Sequence, residues 1–195
     1  MKQSWKPGTM VYPLPAALVS CGVYDGDNDL SGCNFLTVAW TGTICTNPPM
    51  LYISVRPERY SHELISRTME FTLNLTTADM ARAVDWAGVK SGRDFNKWHE
   101  TGLTAVKGVK VSSPSIEESP LSIECRVKEI MHLGSHDMFV ADVLNVLADE
   151  RYINPETNAF DLAAARLIAY SHGGYYPLEP QSKIGGFGFS VKKKK

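Results

Sequence analysis

Two stretches of this 195-residue chain carry groups that could hold a flat polar ring and an anion. The first runs from Asn34 to Trp40 and turns small and polar through Thr41-Gly42-Thr43 before Pro48-Pro49. Backbone N–H groups beside small hydroxyl residues can lie against such a ring. In the second, Ser61 falls near the N-terminal turn of a predicted helix, where free N–H groups favour an anion. Taken alone, the first stretch is more typical of an ordinary buried strand and loop.

The order of the motifs along the chain adds information that no single motif gives. Six motifs follow one another: Asn34–Trp40, Thr46–Pro49, Ile53–Pro57, Ser61–Ile65, Glu70–Asn74 and Ser91–Lys97. This ordered set resembles the flavin reductase-like, FMN-binding split-barrel family, and within it the flavoredoxin branch. The resemblance extends from about Pro13 to Phe189, which is nearly the whole chain.

The resemblance implies a non-covalently bound FMN and two groups of cofactor-binding residues. Phosphate binding requires cations and hydroxyl or amide donors. The residues at the family's phosphate and ribityl positions are Arg56, Ser61, Asn74, Ser91, Gly92 and Lys97. The segments that would run beside the isoalloxazine ring supply Thr37, Val38, Ala39, Trp40, Thr41, Ser54 and Val55.

His136 is the candidate catalytic residue. It lies in the predicted turn Gly134–Asp137 and resembles a family histidine placed near the exposed flavin face, where NAD(P)H would dock as a co-substrate. A histidine on a surface turn is the alternative interpretation. Trp98, Tyr175 and Tyr176 could cover the ring, or they could pack in the core or at an interface.

Three functions remain open at this stage. The chain could be an oxidoreductase that moves electrons from NAD(P)H to flavin or another acceptor. It could instead be a flavoredoxin-like electron-transfer protein reduced by a partner protein, or a non-catalytic FMN-binding protein. The sequence contains no nicotinamide-reading motif that separates these. Family members are homodimers, and the aromatic- and glycine-rich segment Tyr170–Phe189 is a candidate interface.

Composition narrows the expected partners and location. A formal net charge of -1 gives no general attraction for nucleic acid or for an anionic membrane. The sequence has no apolar run near the ~20 residues that a membrane-spanning helix needs. Its N-terminus lacks the apolar core of a signal peptide. We therefore expect a cytoplasmic protein with a single domain over residues 1–195.

The cysteines and histidines predict no metal site and no disulfide framework. The four cysteines never form a C-x-x-C pair, so free thiols are expected, and Cys45 falls in the polar stretch that could lie near the ligand. His132 and His136 are four residues apart, but the turn Gly134-Ser135 between them rules out the helical spacing that a metal site would need.

The periodicity predicts a mainly β protein with flanking helices. The resemblance implies a six-stranded antiparallel Greek-key split barrel, and long strands at close spacing favour an antiparallel barrel independently. Predicted strands are Ala17–Tyr24, Gly32–Thr41, Leu51–Val55, Glu70–Leu75, Leu121–Leu133 and Met138–Ala148, with a turn at Asp25–Asn28 between the first two. Predicted helices are Glu58–Arg67, Ala78–Trp86 capped by Thr77, Phe95–Glu100 capped by Asp94, and Leu162–Ile168 capped by Asp161.

Overall fold

The computed structural model describes residues 1–27, 29–186 and 188–191. Asn28, in the predicted turn Asp25–Asn28, lies outside the described residues, as do Phe187 of the candidate interface and the lysines 192–195. Among the described residues, no helix is long and apolar enough to cross a membrane.

One seven-stranded antiparallel sheet dominates the structure. Its strands, in spatial order from one edge to the other, are β3 (Cys33–Val38), β2 (Ala17–Gly22), β6 (Glu70–Leu75), β9 (Leu121–His132), β10 (Asp137–Ala148), β5 (Pro49–Val55) and β4 (Thr41–Thr46).

The two edge strands of this sheet are neighbours in sequence. β3 ends at Val38 and β4 begins at Thr41, so only Ala39 and Trp40 join opposite edges. If the sheet were flat, six strand spacings would separate the edges by about 29 Å. The link can span only about 11 Å. The sheet must therefore curl until its edges approach one another, which produces a barrel that is split between β3 and β4.

Helices and small sheets surround the curled sheet. The α-helices are α1 (Tyr60–Thr68), α2 (Ala81–Val89) and α3 (Lys97–Thr101), and short 3-10 turns cover Ala78–Met80, Glu150–Tyr152 and Pro180–Ser182. A three-stranded sheet contains β1 (Leu14–Pro15), β11 (Ile168–Ser171) and β12 (Gly174–Pro177), and a two-stranded sheet pairs β7 (Ala105–Val106) with β8 (Ser115–Ile116).

Strand β2 separates two hydrophobic cores and is buried along its whole length. On one face, Val19 belongs to the barrel interior with Phe71 and Phe139. On the other face, Leu18 packs in the layer beneath α2 and α3, where the Phe35 and Trp98 rings meet edge to face at 4.6 Å. Alternation along a strand explains this division, because successive side chains point to opposite faces.

The structure corrects the predicted number and length of strands. The sheet has seven strands and is split, so the predicted six-stranded barrel is wrong in its count. The predicted strand Gly32–Thr41 is in fact β3, which ends at Val38, followed by a link and the start of β4. The break is required because a continuous strand could not leave one edge of the sheet and enter the other.

The helix predictions were less accurate than the strand predictions. Within the described chain, Leu162–Ile168 contains no helix: it forms turns and then enters β11, which pairs with β1. Tertiary pairing overrides local propensity there. The cap of α3 is Asn96, whose Oδ1 accepts from the His99 N–H at 3.3 Å, rather than Asp94. The predicted helix Ala78–Trp86 is a 3-10 turn followed by α2.

Asn74 is a buried hydrogen-bonding hub that joins neighbouring strands. Its side chain is fully buried in β6, and both ends of the amide are occupied. The amide nitrogen donates to Leu18 O, Ser20 Oγ and Thr72 O at 3.0–3.1 Å, and the amide oxygen accepts from Ile116 N at 3.0 Å and Ser122 Oγ at 2.7 Å.

We predict that Asn74→Ala destabilises the protein by about 2–4 kcal/mol, because it leaves buried donors and acceptors without partners. Urea unfolding would measure the loss. Ligand affinity of the folded fraction should stay within about twofold of wild type, since the hub lies away from the cavities described below. A large loss of ligand affinity with unchanged unfolding free energy would contradict this.

Candidate functional site

A cavity of about 380 Å³ opens at the split in the barrel. It lies where β3 gives way to the link and β4, with the end of β5 on one side and α2 on the other. Eight of the sequence-predicted site residues line it: Thr37, Val38, Ala39, Trp40, Ser54, Val55, Arg56 and His136.

Strand β3 presents an unpaired edge to this cavity. It pairs with β2 on one side only, so alternate N–H and C=O groups on its other side face the split. α2 approaches β3 closely: the Thr37 hydroxyl donates to Val84 O, and a Cβ on Gly88 would lie 3.3 Å from Thr37 Cβ. Glycine at position 88 therefore leaves room for the helix against the strand.

Trp40 and His136 form one wall of the cavity. The Ser54 N–H donates to Trp40 O at 2.9 Å, which fixes the link against β5. His136 arrives from the β9–β10 turn, and its ring lies 4.3 Å from the Trp40 ring, tilted by 42°. Burial, together with the cations Arg56 and Arg59, lowers the pKa of His136. The imidazole is therefore neutral over a wider pH range than an exposed histidine.

The opposite wall comes from the small sheet and α2. Tyr170 and Tyr175 line the cavity from β11 and β12, with their rings 5.6 Å apart. The Tyr175 hydroxyl donates to Asp85 Oδ1 at 3.3 Å. Burial and the neighbouring Asp85 carboxylate raise the pKa of Tyr175 to about 12, so the phenol keeps its proton.

A second cavity of about 150 Å³ adjoins the first and is rich in polar groups. Leu36 and Arg59 line both cavities, so the two cavities adjoin. Its predicted residues are Ser61, Ser91, Gly92 and Lys97. The structure thus brings Ser61 together with the segment Ser91–Lys97, which lies 30 or more residues away in sequence.

Lys97 is a buried cation at the base of this second cavity. Lys97 is only 4% exposed, and its Nζ donates to Ala87 O at 2.6 Å. Within the described residues it forms no ion pair. Burial, reinforced by Arg59, lowers the pKa of Lys97 to about 8. An anion in the cavity would favour the charged form of this lysine.

The N-terminus of α1 points donors toward the same cavity. Arg59 is the N-cap residue, and within the described chain it makes no side-chain capping hydrogen bond. The first N–H groups of a helix lack intrahelical partners and attract anions. Ser61 lies in this first turn, buried, with its Oγ accepting from Asn34 Nδ2 at 2.8 Å. The arrangement is suited to a phosphate.

Two of the predicted residues lie outside these cavities. Asn74 is the interior hub described above, and its amide has no capacity left for a ligand. Thr41 is buried in β4, where its hydroxyl donates to Tyr52 O at 2.6 Å. Both residues therefore act in the framework that shapes the site.

Arg59 is the residue that the sequence analysis missed. The family resemblance points to Arg56, but Arg56 lines only the first cavity, and its Nη1 lies 3.5 Å from Glu58 Oε1. Arg59 lines both cavities and forms no ion pair within the described chain. Its position two residues before Ser61, at the start of a predicted helix, was the available signal.

The buried carboxylate of Asp137 fixes the turn that carries His136. Asp137 is buried and accepts from His62 Nε2 at 2.8 Å and from His132 Nδ1 at 3.0 Å. Burial alone would raise the pKa of Asp137, but the hydrogen bonds from His132 and His62 lower it overall. Asp137 is also paired with Val55 across β10 and β5, so the turn is fixed beside the cavity.

The remaining predicted aromatic and thiol groups divide between cavity, core and surface. Tyr175 lines the first cavity, Trp98 is buried against Phe35, and Tyr176 is exposed. All four cysteines are free, as predicted. Cys45 lies on edge strand β4, outside the lining of the described cavities.

Comparison with known proteins agrees with this geometry. Residues 9–179 match the model of the flavin reductase like domain. An uncharacterised protein of Archaeoglobus fulgidus is 33% identical over 136 residues, which is 70% of this chain and 73% of that protein.

Two solved flavoredoxins resemble the whole fold. The flavoredoxin of Desulfovibrio vulgaris (Miyazaki F) superposes with a TM-score of 0.85 at 27% identity, covering 99% of this chain and 100% of that one. The flavoredoxin of Methanosarcina acetivorans gives a TM-score of 0.84 at 22% identity, covering 98% and 100%.

Proposed function

This chain belongs to the flavin reductase-like family, and from that premise we propose that it is an FMN-binding oxidoreductase that moves electrons from NAD(P)H to flavin or another acceptor. The observation that carries the proposal is the pair of adjoining cavities. One is wide, with an unpaired strand edge on one side and aromatic walls; the other is small and cationic.

The second cavity fits a flavin phosphate through the chemistry of its donors. Lys97 and Arg59 supply charge, Ser61 and Ser91 supply hydroxyl groups, and the uncapped start of α1 supplies N–H groups. Charge-assisted hydrogen bonds of this kind are the strongest that proteins make to anions. A buried lysine without a carboxylate partner is costly unless an anion compensates it.

The first cavity suits the flavin ring. The free edge of β3 can hydrogen-bond the polar rim of the ring, while Val38 and Val55 supply apolar surface. A bound FMN would supply the redox chemistry, namely hydride acceptance and onward electron transfer. The chain's own residues bind and orient: Trp40 and His136 limit access from one side, and Tyr170 and Tyr175 from the other.

An electron-transfer role is the second candidate function. It is favoured by the similarity to the Desulfovibrio vulgaris flavoredoxin, which covers 99% of this chain. In that case a partner protein would reduce the flavin, and the chain would have no nicotinamide site of its own.

We also propose a homodimer, working in the cytoplasm. The C-terminal part of the described chain leaves large apolar side chains in solvent, including Leu178 at 53% and Ile184 at 92% exposure. Apolar groups of this size in one short segment are typical of an interface. The small sheet that carries this segment also supplies Tyr170 and Tyr175 to the first cavity, so a partner subunit would lie close to the ligand.

We predict that FMN binds about two orders of magnitude more tightly than riboflavin, because only FMN offers a phosphate to the second cavity. Lys97→Met should weaken FMN binding at least about tenfold and leave riboflavin unchanged. Arg59→Ala should act in the same direction, whereas the matched control Arg56→Ala should change FMN affinity much less. Fluorescence titration at fixed salt measures both ligands. Equal losses for FMN and riboflavin would remove these residues from the phosphate site.

We predict that FMN affinity depends on pH through Lys97. The unliganded lysine has a pKa of about 8, and a bound phosphate favours its charged form. Binding should therefore be insensitive to pH from about 7 to 7.5, then fall by at most tenfold per pH unit above 8, as a proton must be taken up. Riboflavin titrations and the Lys97→Met variant should show no such decline. A profile that is flat up to about pH 9.5 in the wild type would contradict this assignment.

Anaerobic mixing of the FMN-loaded protein with NADH, and separately with NADPH, separates the two candidate functions. Bleaching of the flavin absorbance within seconds is expected for the reductase. Absence of bleaching by either nucleotide, with rapid reduction by a protein electron donor, would replace the reductase by the carrier. A preparation that neither contains nor binds FMN would overturn both.

A further inference from the structure

A cavity of about 700 Å³ lies on a different side of α2 from the first cavity. Arg82 and Trp86 of α2 line it, whereas Asp85 and Gly88 of the same helix line the first cavity. Among the described residues, none that lines this cavity also lines the first or the second one. We refer to it as the far cavity. It is separate from the proposed flavin site.

Aromatic and apolar side chains form part of the lining of the far cavity. Trp86 is half-buried, and its ring lies 5.7 Å from the Phe95 ring at an angle of 77°, which restricts its movement. Tyr152 is also half-buried, and Met80 and Leu103 add apolar surface. Flat apolar groups pack well against the exposed parts of such rings. The far cavity is therefore suited to a ligand that carries an aromatic ring.

Two opposite charges on the lining are available to a ligand. Asp79, in the 3-10 turn, and Arg82, in the first turn of α2, are both exposed. Within the described part of the chain, neither forms an ion pair. Side chains three residues apart on a helical segment are neighbours, with Cβ atoms about 5–6 Å apart. A ligand with an ammonium and a carboxylate on one carbon can therefore meet both.

The other charged groups of the lining disfavour a purely anionic ligand. Arg151 Nε donates to Asp149 Oδ2 at 2.8 Å, so the charge of this arginine is already compensated. Both oxygens of Glu118 accept from a loop N–H at 3.1 Å. Glu100 is exposed and adds a further carboxylate to the lining. A nucleotide or another polyanion would be repelled by Asp79 and Glu100, whereas a ligand that carries an ammonium group would be attracted.

We propose that the far cavity binds an aromatic α-amino acid in its zwitterionic form. The α-carboxylate would pair with Arg82, the α-ammonium would pair with Asp79, and the ring would lie against Trp86 and Tyr152. Charge-assisted hydrogen bonds of this kind are the strong ones in proteins. The inference goes beyond the proposed function and does not depend on it, because the described linings of the two sites have no residue in common.

Three related ligands separate the contributions of the ring and of the two charges. They are L-tryptophan, tryptamine, which lacks the carboxylate, and indole-3-propionate, which lacks the ammonium. NMR titration of the FMN-saturated protein should give L-tryptophan a Kd below about 0.5 mM. Each analogue should bind about tenfold more weakly, because it loses one charge-assisted hydrogen bond. The same affinities are expected without FMN.

Substitutions assign each charge to its residue. Arg82→Ala should weaken L-tryptophan about tenfold and leave tryptamine within about twofold of wild type. Asp79→Asn should weaken L-tryptophan and tryptamine about tenfold and leave indole-3-propionate within about twofold. The matched control is Arg67→Ala, at an exposed arginine that has no ion pair in the described chain and lines none of the three cavities. FMN affinity should be unchanged in all three variants, which shows that they are folded.

The aromatic wall has its own test. Trp86→Leu should weaken all three ligands about three- to tenfold, since it removes the ring and keeps apolar volume. Trp86→Phe keeps a ring and should recover most of the affinity. Trp5→Leu, at an aromatic residue that is 77% exposed, is the control and should change none of the three affinities.

Four results would overturn the inference. The first is no binding of L-tryptophan up to about 10 mM, a limit well above the expected Kd. The second is equal affinity for the three ligands, which would exclude the two charges. The third is displacement of L-tryptophan by FMN, which would place it in the first cavity. The fourth is equally tight binding of N-acetyl-tryptophanamide, which would assign the cavity to a side chain of a peptide. Failure of FMN to bind, with L-tryptophan still bound, would overturn the proposed function alone.

Discussion

The site depends on one geometric constraint, the two-residue link between opposite edges of a seven-stranded sheet. Ala39 and Trp40 can bridge β3 and β4 only if the sheet curls back on itself. Among the described strands, β3 and β4 do not pair with one another, so the barrel stays open beside this link. Hydrogen-bonding groups of β3 are therefore left facing a cavity, whereas an edge in a closed barrel would have its groups paired.

Burial of a cation provides the second physical principle of the site. Lys97 is held beneath α2 by its bond to Ala87 O, and within the described residues no carboxylate pairs with it. Desolvation without compensation costs free energy and lowers the lysine pKa. A phosphate would offset that cost, so ligand binding and the stability of this region should be coupled.

The two halves of the site are supported by different structural elements. The wide cavity is formed by strand ends and by the β9–β10 turn. Contacts of the Asp137 carboxylate with His62 and His132 fix this turn. The cationic cavity is formed by the start of α1 and the loop before α3. Arg59 lines both, so charge placed there acts on both ends of a bound ligand. Its electrostatic effect on both Lys97 and His136 is consistent with that position.

The sequence by itself determined the main strands and half of the residues that line the two cavities. Alternation in Glu70–Leu75 predicted β6, and the family resemblance of the ordered motifs from Asn34 to Lys97 predicted the residues of the β3 wall and of the cationic cavity. The resemblance of the turn Gly134–Asp137 predicted His136. Only the tertiary structure decided which residues line the two cavities. Asn74 and Arg59 show why. Hydrogen bonds to neighbouring strands occupy both ends of the Asn74 amide, whereas Arg59, the N-cap residue of α1, lines both cavities. The secondary-structure propensities of single residues cannot predict these outcomes, because both depend on how segments distant in sequence pack together.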